Sequence, residues 1–247
     1  MQKIVKYSFY FGIFICLFAI ILILTTNAYL KPSLPKVKLV DEAELQMPLK
    51  VYTKDGILIG EFGEIKRRPT TFTEIPENIK NAFLAAEDDN FFNHQGISYT
   101  GLIRSFIRCL RPSGCEGGGG TITMQVVRGY LLTREQTVIR KIKEIFLALE
   151  LEGNLEKEEI FELYVNRIFL GNRSYGIEAA ANTYFDKNIK ELSISESATI
   201  AALAQLPSRV NPVKDPRRTK LRRNWILSRM LSLGSVSYTH LTLPTIR

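Results

Sequence analysis

EDDNFFNHQG, residues 87–96, is the stretch from which the fold of this 247-residue chain is best worked out. Just before it, apolar residues recur at i, i+3, i+4 and i+7, at Ile79, Ala82, Phe83 and Ala86. This spacing is typical of an amphipathic helix with one buried face. The pattern predicts a packed helix from Pro76 onward, with the carboxylate of Glu87 at its end.

The segments that follow predict further helices. They cover residues 134–151, 157–169, 195–206 and 217–233, and Pro207 stops the third of these. In the first, the apolar stripe is predicted at Ile142, Ile145, Phe146 and Leu149, with Arg140 and Glu144 on another face. One strand signal is convincing, a hairpin of residues 49–53 and 57–62 joined by the turn Lys54-Asp55-Gly56. The fold class is therefore mainly α.

The N-terminal region predicts a membrane anchor. No charge occurs from Tyr7 to Leu30, and a helix over this segment would span roughly 36 Å at about 1.5 Å per residue. A cleaved signal peptide is the competing interpretation, but its apolar region is usually shorter and no A-x-A site follows. We expect a cytoplasmic end and anchor at 1–30, an extended linker at 31–48 and one domain at 49–234. Residues 235–247 have no helical period, which indicates either a frame artefact or a disordered tail.

Charge and cysteine content limit the function classes. The 33 Lys and Arg against 25 Asp and Glu give a net charge of +8, which suits nucleic acid, an anionic membrane surface or a phosphorylated substrate. Nucleic acid is the weakest of the three, because the basic residues are not interleaved with aromatic ones. Cys109 and Cys115 form either a small disulfide loop or two free thiols, and their spacing is poor support for zinc.

Two acidic positions and a glycine-rich turn suggest glycosyl transfer. Such a reaction needs a carboxylate to activate the attacking hydroxyl, and Glu87 is the candidate. A diphosphate leaving group needs no acid, but it needs cations or backbone N–H groups. Gly117–Gly120 and the segment from Arg140 to Glu144 supply both kinds of group. The turn lacks the Gly-Lys-Ser/Thr ending of a nucleotide-binding loop, so ATP binding is unsupported.

With these residues, the chain resembles the family 51 glycosyltransferase domain of class A penicillin-binding proteins over about residues 49–233. Five blocks match in order: Glu87-Asp88-x-x-Phe91-x-x-His94-x-Gly96; the glycine turn with Thr121-x-Thr123-Met124-Gln125; Arg140-Lys141-x-x-Glu144; Lys157-x-x-Ile160-x-Glu162-x-Tyr164-x-Asn166; and Arg222-Arg223-Asn224-Trp225-Ile226-Leu227. Two positions depart from the usual pattern, with Gly120 in place of Ser and Arg128 in place of Lys.

The resemblance implies a lysozyme-like domain that polymerises lipid II into β-1,4-linked glycan with release of undecaprenyl diphosphate. Glu87 would be the general base, and Glu144 would organise a divalent cation, Mg or Mn, or the basic side chains around the diphosphate. The resemblance makes Arg128, Arg140 and Lys141 diphosphate ligands. It implies substrate contacts for Asp88, Phe91, His94, Thr121, Gln125 and Asn166. Phe91 and His94 are equally explained as core residues, and Glu144 as a simple ion pair with Arg140.

The family further implies a location and partners. The domain is expected on the periplasmic, outer face of the cytoplasmic membrane, in contact with lipid II, a lipid-linked glycan strand and other cell-wall synthesis proteins. Residues 97–115 would form a jaw that dips into the membrane, with helix core as the alternative. Two rival functions stay open: a lysozyme-like lytic transglycosylase, and an inactive membrane-tethered interaction protein.

Overall fold

The computed structural model describes residues 49–56, 58–62, 66–109, 120–132 and 138–237, with a few single positions between residues 7 and 35. Most of the predicted anchor and linker lie outside the described residues, as do Cys115, the glycines at 117–119 and the end of the predicted tail. The anchor and a Cys109–Cys115 disulfide therefore stay predictions. Of the helices in the described ranges, none has the length and apolar character needed to cross a membrane.

The prediction of a mainly helical domain is confirmed. Within the described ranges the chain forms eight α-helices: α1 (Glu77–Glu87), α2 (Tyr99–Cys109), α3 (Ile122–Tyr130), α4 (Val138–Glu152), α5 (Lys157–Arg167), α6 (Ile177–Phe185), α7 (Ile194–Leu203) and α8 (Pro216–Ser232). Single-turn 3-10 helices at Phe72–Glu74 and Ile189–Glu191 precede α1 and α7. The predicted end of α1 at Glu87 is correct, whereas α7 ends three residues before the predicted Leu206.

Two short strand pairs accompany the helices. The predicted hairpin is present as β1 (Leu49–Tyr52) and β2 (Leu58–Phe62), which are antiparallel. Its turn contains Gly56 at φ 81°, a left-handed conformation that favours glycine. A parallel pair, β3 (Lys66–Arg67) with β4 (Ser174–Tyr175), was not predicted, because two residues are too few for a sequence pattern. This pair ties the start of the domain to the segment after α5.

The core is built around α7. Every residue from Ser197 to Leu203 is buried, and α7 packs against α1 and α8. A second group of contacts joins α3 to α4 and α5. Ser193 caps the N-terminus of α7 and Glu196 completes the capping box, so the backbone N–H groups of Glu196 and Ser193 are satisfied where this buried helix begins. Gln125 of α3 hydrogen-bonds Glu87 of α1, which links the two groups of helices.

The predicted apolar stripe of α4 is wrong. Leu149, one of its members, is 42% exposed, and the other three are half-buried. The fully buried face instead contains Glu144, Leu147, Ala148 and Leu151, which share the spacing i, i+3, i+4 and i+7. The predicted stripe left Glu144 on another face of the helix, and a lone carboxylate is indeed rarely buried. The structure buries it because two neighbouring cations satisfy its charge.

The structure describes parts of the predicted jaw at residues 97–115 and of the predicted tail at residues 235–247. In α2, Tyr99, Ile103 and Ile107 are all more than half exposed, so the alternative of helix core is wrong for these three side chains. Contact of this face with a membrane stays a prediction. At the other end, Val236 is buried and packs against the hydrophobic core, so the packed domain continues two residues past the predicted boundary at 234.

Candidate active site

Glu87 is the last residue of α1 and is partly buried. Gln125, on α3, donates a hydrogen bond of 2.9 Å from Nε2 to the Glu87 Oε2. Burial raises the pKa of Glu87 above its ordinary value, while the Gln125 hydrogen bond and the charges of Arg222 and Arg128 oppose that rise. A carboxylate whose environment favours its protonated form accepts protons more readily, as a general base must.

A cavity of about 690 Å³ opens between α3, α4 and α5. Its charged lining residues are three arginines, Arg128, Arg140 and Arg167, and Gln125 lies in the same wall. Arg167 stacks over the ring of Tyr130 with its guanidinium carbon 4.2 Å from the ring centroid. Guanidinium groups bind phosphate oxygens in a planar, bidentate manner, so this lining suits a phosphorylated ligand.

Glu144 lies in the buried face of α4 and is 1% exposed. One carboxylate oxygen accepts from Arg140 Nη1 in a short contact, and the other accepts from Lys141 Nζ at 3.0 Å. Arg140 is also a cavity residue. The hydrogen-bond partner of Glu87 and an ion-pair partner of Glu144 therefore line one cavity, although the two carboxylates belong to different helices.

These contacts do not fit a divalent cation at Glu144. Both of its oxygens are already held by positive groups, which would repel a metal ion placed beside them. The described residues also contain no group of three His, Cys, Asp or Glu side chains able to hold a metal. The chemistry proposed below therefore uses no metal at this position.

Asp88 and Thr121 join the loop after α1 to the start of α3. Asp88 accepts from the backbone N–H of Ile122 at 3.1 Å, and its two oxygens lie 3.0 and 3.1 Å from His94 Nε2. Thr121 caps α3 through the Met124 N–H and donates to the Gly96 carbonyl at 2.6 Å. These contacts fix the position of Glu87 relative to Gln125. The substrate contacts predicted for Asp88, His94 and Thr121 stay predictions.

Phe91 and Asn166 lie away from the cavity lining. The Phe91 ring is fully buried, packs against Phe161, and has Lys157 Nζ 4.4 Å from its centroid. The Asn166 amide makes two hydrogen bonds with the backbone of Thr70, at 2.9 and 2.8 Å. The described contacts explain both residues as parts of the framework, and none of these contacts supports their predicted role in binding substrate.

Gly120, which stands where the family usually has serine, lies directly before the cap of α3. A Cβ built on it would lie 3.6 Å from Nζ of Lys141, an ordinary contact distance. A serine would therefore fit here beside the ammonium group. In this chain that place has no hydroxyl.

Three residues of this site were not predicted from the sequence. Arg167 and Tyr164 line the cavity, and Arg222 on α8 donates from Nη2 to the Ala86 carbonyl at 3.4 Å, next to Glu87. The Arg222 guanidinium also stacks over Trp225, 4.1 Å from the ring centroid. Arg222 and Tyr164 belong to the fifth and fourth blocks, but nothing in their spacing showed that they would meet Glu87 in space. Arg222 and its partner carbonyl are 136 positions apart in the chain.

Comparison with known proteins finds one family model, Transglycosylase, matching residues 55–231. Penicillin-binding protein 1A of Pseudomonas aeruginosa is 54% identical over 208 residues, which are 84% of this chain and 25% of that protein. Penicillin-binding protein 1A of Escherichia coli K12 is 40% identical over 236 residues, 96% of this chain and 28% of that protein. The chain thus spans about a quarter of the length of these curated relatives.

A crystal structure of penicillin-binding protein 1A from Haemophilus influenzae is similar to this chain with 32% sequence identity and a TM-score of 0.47. The similarity covers 83% of this chain and 21% of that one. The family model covers well over half of the chain and includes all five sequence blocks. The chain therefore belongs to the Transglycosylase family, and its resemblance to the glycosyltransferase domain of class A penicillin-binding proteins is confirmed.

Proposed function

We propose that this domain is a peptidoglycan glycosyltransferase that polymerises lipid II into β-1,4-linked glycan strands and releases undecaprenyl diphosphate. One observation carries the proposal. Gln125, the hydrogen-bond partner of Glu87, lines the same cavity as Arg128 and Arg140. The candidate base is therefore joined through Gln125 to a cavity lined by arginines. Membership of the Transglycosylase family supports the same reaction class.

In the proposed reaction Glu87 removes the proton from the 4-hydroxyl of the GlcNAc unit of lipid II. The resulting oxygen attacks C1 of the terminal MurNAc of the growing chain and forms the new glycosidic bond with inversion. The bond from C1 to the diphosphate oxygen breaks, and its electron pair leaves with the lipid diphosphate. Arg128 and Arg140 stabilise the negative charge of the diphosphate in the cavity. Lys141, which is ion-paired with Glu144, contributes further stabilisation.

Glu144 has a different task in this scheme. It is buried, and each of its oxygens is held by a basic side chain, so it does not face the cavity as a base for the substrate hydroxyl would. Its charge instead holds the guanidinium of Arg140 in the cavity wall, within reach of a diphosphate. Fixing a long side chain in advance lowers the entropy lost when substrate binds.

The rival functions predict different substrates. A lytic transglycosylase cleaves finished glycan, where the leaving group is a sugar hydroxyl that needs an acid and gains nothing from a wall of arginines. An inactive interaction protein would have no use for a carboxylate with a raised pKa beside that wall. We infer that the domain acts at the outer face of the cytoplasmic membrane, where lipid II is displayed, with a lipid-linked glycan strand as its second substrate and other cell-wall synthesis proteins as partners.

Incubation of the full chain with labelled lipid II tests the proposal. We expect glycan polymer from the wild-type protein and no release of fragments from finished peptidoglycan. Glu87→Gln should lower the rate roughly 100- to 10,000-fold, because it removes the base. Glu77→Gln, at the exposed start of the same helix, is the matched control and should keep the parent rate. Fragment release without polymer would instead establish the lytic function.

A further inference from the structure

Tyr164 lies on α5 in the wall of the cavity and is 3% exposed. Its ring meets Phe83 edge to face, with centroids 5.9 Å apart, and lies against Phe161 at 6.4 Å. These aromatic contacts hold the ring in one orientation. In the described part of the structure its buried hydroxyl has no hydrogen-bond partner.

An unpaired buried hydroxyl is unusual, because it loses its bonds to water without gaining others. The half-buried phenol of Tyr184 shows the ordinary arrangement. Its hydroxyl donates to the Leu170 carbonyl at 2.9 Å and accepts from Asn211 Nδ2 at 3.0 Å. The hydroxyl of Tyr164 thus differs from that of Tyr184 in having a donor left free beside the site.

Glu87 is the group nearby that lacks a donor. Among the described residues its one hydrogen bond is the bond from Gln125 to Oε2, so Oε1 accepts none. The charged or titratable groups that act on it are Arg222 from α8, Arg128 from α3, Asp88 from the following loop and Tyr164 from α5. Burial, and then the charge of Glu87, raise the pKa of Tyr164 well above its ordinary value, so the phenol keeps its proton and acts as a donor.

We propose that Tyr164 is a positioning residue for Glu87: when substrate fills the cavity and engages the Gln125 amide, the Tyr164 hydroxyl donates a hydrogen bond to the Glu87 carboxylate. This inference rests on the proposed function. Gln125 and Tyr164 both line the cavity, and the Tyr164 hydroxyl is an uncharged donor of that wall that interacts electrostatically with Glu87. A hydrogen bond to the ionised carboxylate favours that form, which is the form that accepts a proton.

The test compares wild-type protein with Tyr164→Phe in lipid II polymerisation across pH. The acid side of the kcat profile reports the base in the substrate complex, and that of kcat/KM reports the free enzyme. We expect the ratio of variant to wild-type kcat to be about tenfold lower on the acid side of the profile than at the plateau. Loss of a hydrogen bond to a charged group implies an effect of this size. The acid side of kcat/KM should move less. Tyr184→Phe is the matched control and should leave both profiles in place.

Three results would overturn the assignment. The first is an acid side of kcat that does not move in Tyr164→Phe while wild-type protein makes polymer. The second is an equal movement in Tyr184→Phe. The third is a lower Tm or loss of folding for Tyr164→Phe, because removal of an unpaired hydroxyl leaves stability unchanged or raises it. Wild-type protein that makes no polymer at any pH would overturn the proposed function, and this inference with it.

Discussion

Glu87 and Glu144 are chemically identical side chains in opposite surroundings. Glu87 ends a helix, accepts one hydrogen bond from the neutral amide of the cavity residue Gln125, and has its pKa raised by burial. Glu144 lies inside the buried face of α4, and each of its oxygens is held by a cation. The first has the surroundings of a proton acceptor, and the second has those of a group that holds two basic side chains in place.

The difference shows that environment, and not residue type, assigns the roles of two carboxylates at one site. A base needs an ionised form that is only slightly preferred, so that a proton can be taken up. A residue that orders cations needs the reverse, a carboxylate with every oxygen occupied. The four predictions below test this division, beginning with the largest expected effect.

Arg128→Ala removes one arginine from the cavity wall while leaving both carboxylates in place. The rate of lipid II polymerisation should fall roughly 100- to 1,000-fold, because the developing charge on the diphosphate loses a donor. Initial rates with labelled lipid II measure this. Arg217→Ala, on the exposed surface of α8, is the control and should leave the rate unchanged. Equal rates for Arg128→Ala and wild type would show that the cavity does not bind the leaving group.

Glu144→Gln should destabilise the domain by about 3 kcal/mol, because Arg140 and Lys141 lose their shared carboxylate next to the core. Denaturant unfolding measures the change. Glu150→Gln, on the exposed face of the same helix, should change stability by less than about 0.5 kcal/mol. A Glu144→Gln protein as stable as wild type would mean that this pairing contributes nothing to the fold.

Glu87→Gln should have the opposite effect and stabilise the domain by about 1 kcal/mol at pH 7. A carboxyl whose folded-state pKa is raised contributes stability below its unfolded-state pKa and loses that contribution as the pH rises through the folded-state pKa. Glutamine has no charge to desolvate, so the variant avoids this loss. Thermal unfolding from pH 7 down to pH 4 should show the difference in Tm shrinking toward acid. A difference that grows toward acid contradicts the assigned environment.

Arg222→Met should produce the smallest effect. The guanidinium favours the ionised form of Glu87, so its removal raises the pKa of Glu87 further. The acid side of the kcat/KM profile should therefore move to higher pH, lowering the rate there by about two- to threefold relative to the plateau. Arg217→Met on the same helix controls for the loss of a surface charge. A shift toward lower pH would show that Arg222 does not act on Glu87.

The sequence was sufficient to predict that helices with a clear apolar period exist, because burial of one helix face determines both the sequence pattern and the packing. It correctly placed Glu87 at the end of α1 and the hairpin at its glycine turn. It placed Glu144 on the wrong face, since periodicity assigns carboxylates to solvent and cannot foresee that Arg140 and Lys141 will compensate a buried charge. The strands β3 and β4 have two residues each, so they are too short to show an alternating sequence pattern.

Site residues could be predicted where a family block named a role, and not where the role depends on distant parts of the chain. Arg222 reaches Ala86 and Glu87 because α8 packs against α1, a contact that no local pattern contains. The same limit applies to Tyr164, whose free hydroxyl becomes visible only when every neighbour is known. Phe91 and Asn166 matched a block, yet their described contacts are with the framework.

The most direct test of the division between the two carboxylates is the pH dependence of lipid II polymerisation by Glu87→Gln and Glu144→Gln, measured side by side as initial rates. We predict that Glu87→Gln loses at least about 100-fold in rate and that its residual activity no longer falls on the acid side, because the titrating base is gone. Glu144→Gln should be slower than wild type but keep that acid fall. An acid fall that persists in Glu87→Gln and vanishes in Glu144→Gln would contradict the account.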